Sequence, residues 1–136
     1  MADALLPVLR DPEADARLVA ARILVKMVEP RFAEPLAERL KDPDLDVRLT
    51  AAEGLVALGD TRPKELLFGI LKAGPGGVRS DRYGALRPLE LAIHGASEYL
   101  DQRAVEYLIP LLKHSEQSLV VLAAHALGRL GDKRAV

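Results

Sequence analysis

The sequence predicts an all-α chain, an α-α superhelix or short α-solenoid of about four helical hairpins, on three observations. One pattern returns every 31 residues along the 136-residue chain. Within each period apolar residues recur three and four apart, the spacing of one face of a helix. Aromatic residues make up only 4% of a chain that is 49% hydrophobic, so the interior is aliphatic and suited to close helix packing.

The copies justify themselves in order. In the first, about residues 1–30, Leu9, Asp11-Pro12, Arg17, Ala20-Ala21 and Leu24 stand 31 residues before Leu40, Asp42-Pro43, Arg48, Ala51-Ala52 and Leu55 of the second, 31–61. The fourth, 103–133, contains LVVLAAHALGRLGD, which matches VRLTAAEGLVALGD at an offset of 72, two periods plus ten residues. The third, 62–102, therefore carries an insertion, placed at 73–82. Arg134, Ala135 and Val136 read as the opening of a fifth copy. One domain, 1–136, is expected.

Each copy holds a first helix, such as Glu34 to Lys41 or Arg103 to Lys113, and a second, such as Leu45 to Leu58 or Gln117 to Leu130. Val47, Ala51, Leu55 and Leu58 form a core stripe that Leu119, Ala123, Leu127 and Leu130 repeat. Asp42 can N-cap the second helix, with Pro43 in its first turn. Gly59 and Gly131 are placed to close second helices in the left-handed conformation. Such a hairpin cannot bury its apolar face alone, so units must stack.

Charge and composition exclude several functions. With 19 basic and 20 acidic residues the net charge is −1, which argues against nucleic acid as a partner. There is no cysteine, hence no disulfide, thiolate metal site or cysteine nucleophile. No run approaches 18 apolar residues, and the N-terminus lacks a basic region before an apolar core, so neither a membrane span nor a secretory signal is expected and a cytoplasmic location is the default.

Leu40 to Asp60, LKDPDLDVRLTAAEGLVALGD, resembles a HEAT repeat of the short bacterial and archaeal type, the type also found in phycobilisome-lyase-like proteins. The resemblance implies that the turn Asp and the Arg six residues on, Asp11 with Arg17 and Asp42 with Arg48, form a ladder between repeats. Ala73 and Leu89, then His114 and Val120, take those places in copies three and four, so the ladder should end after the second repeat. It also implies a non-enzymatic interaction scaffold. The alternative is a bilin or chromophore lyase-like role, with a HEAT-like DNA-binding or glycosylase role further behind. HEAT-like hydroxylases bind iron through repeated His-Glu pairs, but Gly95, Ser115 and Ala126 follow the histidines here.

In such stacks the second helices line the concave face and equivalent positions form columns. One is Arg22, Glu53, His94 and His125; another is Lys26, Ala57, Glu98 and Arg129; a third, more apolar, is Val19, Thr50, Leu91 and Leu122. Leu91 and Leu122 are expected to give apolar contact to a protein or peptide partner while Arg22, Glu53, His94, Glu98, His125 and Arg129 set its register. In the insertion, Arg79, Arg82 and Tyr83, beside Arg87, are candidates for an edge contact, and Ser80 or Asp81 could cap a short helix before Pro88. His114 reads as a surface residue. No zinc triad, catalytic constellation or glycine fingerprint emerges, so no catalytic, metal or cofactor site is assigned. Arg31, Arg62, Arg103 and Arg134, each two residues after an acid, are expected to fix stacking; Asp3, Glu34, Glu65 and Glu106 form a further acidic column. The apolar run Leu119 to Leu122 predicts self-association through the last repeat, or a longer array.

Overall fold

The computed structural model describes residues 2–80 and 82–134. The expected opening of a fifth repeat lies outside the described residues, apart from the backbone of Arg134, which ends a helix. The fold is all-α, built of helical hairpins, with no strand among the described residues. Two compact units are present, residues 1–63 and 64–136.

In the first unit, α1 (Ala14–Met27) follows two 3-10 turns, Ala2–Leu5 and Pro7–Arg10; α2 (Ala33–Glu38) lies between 3-10 turns Pro30–Phe32 and Arg39–Lys41; and α3 (Leu45–Ala57) completes the second hairpin. α1 and α2 both pack on α3. Leu9, Ala20, Ala21, Leu24, Phe32, Leu36, Ala51 and Leu55 form one buried cluster. A β-carbon at Gly54 would lie 2.6 Å from Val25 Cγ2, so glycine lets α1 and α3 approach. In the second unit α5 (Arg87–Glu98) packs on α4 (Lys64–Ala73) and α7 (Gln117–Arg134), while α6 (Val105–Leu108) packs on α7. Gly95, at the repeat position of Gly54, is met instead from the first helix of its own repeat: Leu67 Cδ1 of α4, the counterpart of Leu36, lies 2.6 Å from where its β-carbon would stand.

The first helices are not the continuous elements expected. In repeat one the first helix is two 3-10 turns, in repeats two and four it breaks into short α and 3-10 pieces, and α4 alone is regular. Pro7 and Pro110 open the 3-10 pieces of repeats one and four, where a proline has no amide to give the helical ladder, and α4 has Gly69 in the column they share.

The N-cap of α3 is Asp44, whose carboxylate accepts from the Val47 amide at 3.1 Å, not Asp42. Asp42 is extended two residues earlier and serves another purpose. Gly59 closes α3 at φ 76°, and Val28 and Leu100 adopt the same left-handed conformation at the same repeat position, φ 49° and 51°. The Asp60 and Asp101 amides then reach back to the carbonyls of Leu55 and Ala96, at 2.9 and 3.0 Å, the longer-range bond of the Schellman closure. Gly131 does not close α7, which continues to Arg134.

Candidate partner-binding site

Most of the repeated charges hold the fold together. At the inter-helix turn, Arg17 donates to both oxygens of Asp42 in the next repeat, Nε to Oδ2 at 2.9 Å and Nη2 to Oδ1 at 3.0 Å. Its Nη1 donates to the carbonyls of Asp11 and Pro12. Arg39 and the Asp44 amide also donate to Asp42. Arg17 is buried and the Asp42 side chain is 0% exposed. Burial alone would raise the Asp42 pKa; the bonds from Arg17 and the Asp44 amide outweigh it and hold the carboxyl below its ordinary value. This is the ladder the resemblance implied. Arg48 repeats the carbonyl half, with Nη1 2.7 Å from the Asp42 oxygen.

A second ladder joins the arginine column to the acidic column of the preceding repeat. Arg31 bridges Glu29 and Asp3, Arg62 bridges Asp60 and Glu34, and Arg103 bridges Asp101 and Glu65, at 2.6–3.2 Å. The partner in the preceding repeat lies 28, 28 and 38 residues back, the last spacing being 28 plus the ten inserted residues. That constant offset was the available signal. Hydrogen bonds from Arg62 and Arg103 respectively hold the Asp60 and Asp101 carboxyls low, and Arg103 does the same for Glu65. Arg31 and Arg103 also lie over the Phe32 and Phe68 rings, 4.7 and 4.2 Å from the centroids. The Arg134 side chain lies outside the described residues.

The candidate site residues distribute unevenly. Arg22 is exposed and Glu53 half-buried on the second helices of the first unit. In the second unit His94, Glu98, His125 and Arg129 are all exposed; Glu98 Oε1 lies 4.0 Å from His94 Nε2 and 3.9 Å from Arg129 Nη1. Leu91 corrects the expectation of an apolar groove. It is 2% exposed and part of the core, as is Thr50 in the same column, while Leu122 is half-buried; only Val19, 55% exposed, faces solvent fully.

Arg79, Arg82 and Tyr83 are exposed in the loop between α4 and α5. That loop, residues 74–86, replaces the three-residue links 11–13, 42–44 and 114–116 of the other repeats. No capped helix precedes Pro88 among the described residues. Ser80 is instead buried, its hydroxyl accepting from the Tyr83 amide at 3.1 Å; Asp81 lies outside the described residues. His114 is half-buried and Nδ1 accepts from the Glu116 amide at 3.0 Å, so it orders the turn as Asp42 does. In the apolar run of α7, Leu119 is fully buried, Val120 and Leu122 are half-buried, and Val121 alone is exposed. A groove along the first helices of the first unit, lined by Asp3, Leu6, Pro7, Arg10, Glu34 and Glu38, has its charges engaged by Arg31, Arg62 and the Arg10–Glu38 pair. No group of three or more potential metal ligands and no helix long and apolar enough to cross a membrane occurs among the described residues.

HEAT repeats match the chain over residues 2–87. The chain belongs to the HEAT repeat family. Among solved structures, this HEAT protein is similar to the complex of CpcE and CpcF of phycocyanin lyase from Nostoc sp. PCC7120, with 26% identity, a TM-score of 0.67, and coverage of 98% of this chain and 54% of that one. It also shares its fold with an engineered protein, at 18% identity and a TM-score of 0.60, over 96% of this chain and 62% of that one. The HEAT chain thus spans less than two thirds of the length of either. No curated protein matches it. HEAT repeats typically mediate protein–protein interactions, and the lyase relative is itself a complex of two proteins.

Proposed function

We propose that this HEAT protein is a non-enzymatic interaction module that docks a protein or peptide through the exposed charges of its second helices, with the α4–α5 loop as a further contact. The observation that carries this reading is a contrast in how charges are held. Ladder charges are locked at 2.6–3.2 Å in repeating pairs. His94, Glu98 and Arg129 instead meet only at 3.9–4.0 Å and stay exposed. Groups held so loosely contribute little to stability and can exchange water for a partner's charges at small internal cost.

The test is affinity capture with the wild-type chain, identification of the captured protein, and calorimetric titration of that protein against a Glu98→Arg, Arg129→Glu double variant. The expected result is a loss of affinity of at least about tenfold at unchanged helicity, about 1.4 kcal/mol. Unchanged affinity removes the second-helix surface. Because Leu91 is core, its substitution would test folding and not binding.

A second reading is favoured by the similarity to the phycocyanin lyase complex across nearly the whole chain. It is participation in bilin attachment as one part of a larger lyase. Absorbance titration with a bilin decides it: a saturable spectral shift supports this reading, and an unchanged spectrum removes it.

A further inference from the structure

Among the described residues, eight large hydrophobic side chains remain exposed, and all but Tyr83 belong to the first or last repeat: Val19, Ile23, Met27 and Val28, then Ile109, Leu112 and Val121. The repeat supplies a template for what covers such positions. Thr50 and Gly54 of α3 are the 31-residue counterparts of Val19 and Ile23, and both are buried, with Val25 of α1 seated on Gly54. The face of α1 that carries Val19 and Ile23 is therefore an unoccupied version of the α3 face that α1 covers.

The covering surface of α1 has its counterpart in α7. Leu18, Ala21 and Val25 correspond to Val121, Ala124 and Gly128, and those three are exposed. The sizes are exchanged in a complementary way. Inside the first unit Val25 projects onto Gly54. Between molecules Ile23 would project onto Gly128, where a β-carbon would meet nothing within 4 Å. We propose that the outer face of α1 seats α7 of a second copy of this chain, head to tail, reproducing between molecules the α1–α3 packing found within one.

One feature of the template is missing. Arg17, which crosses to Asp42, has Val120 as its α7 counterpart, so Asp11 of the receiving copy gains no arginine. The contact is thus apolar and weaker than its internal model. Because it joins two different surfaces it is heterologous, and it propagates into rings or filaments. It uses neither His94, Glu98 nor Arg129, so its failure and that of the partner-binding reading are distinguishable.

Sedimentation of the 136-residue chain from low micromolar to near-millimolar concentration tests the proposal. The weight-average mass of the wild type rises with concentration, and Ile23→Glu, at an exposed position, abolishes the rise at unchanged circular dichroism. Val120→Arg restores the missing ladder partner and tightens association by about tenfold, and adding Asp11→Asn, which keeps the acceptor for the Glu13 amide, cancels that gain. A wild type that stays monomeric throughout, or an Ile23→Glu variant that associates equally well, overturns it.

Discussion

The turn between the two helices of a repeat is built one way in the first unit and another way in the second. In repeat two, Asp42 performs two tasks: Oδ1 accepts from the Asp44 amide at 2.9 Å, ordering the link into α3, and both oxygens receive Arg17 from the neighbouring repeat. In repeat four, His114 performs only the first, its Nδ1 accepting from the Glu116 amide at 3.0 Å. The place of Arg17 is taken by Leu89, which is buried. Ordering the turn needs an acceptor and nothing more, so an imidazole serves. Linking repeats by charge needs both partners, and where one is lost an apolar side chain is the cheaper occupant, because a buried charge without its partner is costly.

The largest effect comes from breaking that link on one side only. Arg17→Met leaves the buried Asp42 carboxylate with only Arg39 and the Asp44 amide and should destabilise the chain by about 3 kcal/mol, read from urea unfolding by circular dichroism. Copying the second unit's solution with Arg17→Leu and Asp42→His together should recover most of the loss, to within about 1 kcal/mol of wild type. A double variant as unstable as Arg17→Met would show that the two turns are not interchangeable. Acid acts on the same carboxylate. Its pKa is lowered in the folded state, so the stabilisation is fully present above the ordinary Asp value of 3.8 and is lost as pH falls below it. Asp101 and Glu65 are lowered too, so acid loosens both units. Unfolding followed downward from pH 5 should show a flat region and then a decline; a decline complete above pH 4 would contradict it.

Next in size are the two glycines at equivalent positions. Gly54→Ala drives its methyl into Val25, a β-branched side chain with few rotamers, and should cost about 2 kcal/mol. Gly95→Ala meets Leu67 Cδ1, the far end of a longer chain that can turn away, and should cost about 1 kcal/mol. Equal losses would mean that backbone displacement, not side-chain relief, absorbs the methyl in both units.

The fold was legible because its signals are periodic. Alanine pairs, leucine stripes and turn residues at a 31-residue spacing are set by stacking, and stacking is what repeats. The second ladder was half legible: both columns were visible, but the bond between them crosses repeats, and only the shared 28-residue offset records it. The docking surface was least legible. Exposure depends on what lies over a helix, and the equivalent positions Val19, Thr50 and Leu91 range from exposed to fully buried. Residue type does not encode that; neither does helical phase. Asp42 was misread for a related reason, since an Asp before a Pro looks the same whether it caps a helix or receives a distant arginine.

The smallest effect isolates backbone strain from packing. Val28, Gly59 and Leu100 share one repeat position and all adopt positive φ, a conformation that costs a non-glycine residue about 1 kcal/mol or more. Val28 is 52% exposed, so Val28→Gly removes the strain at little loss of packing, offset in part by the greater freedom glycine gives the unfolded chain. The net gain should be about 0.5 kcal/mol, seen as a small rise in the urea midpoint at unchanged slope. Leu100 is half-buried, so Leu100→Gly gives up apolar contact as it relieves strain, and the midpoint should stay level or fall. If both variants gain equally, strain alone governs the position and the side chain of Leu100 contributes nothing to the second unit.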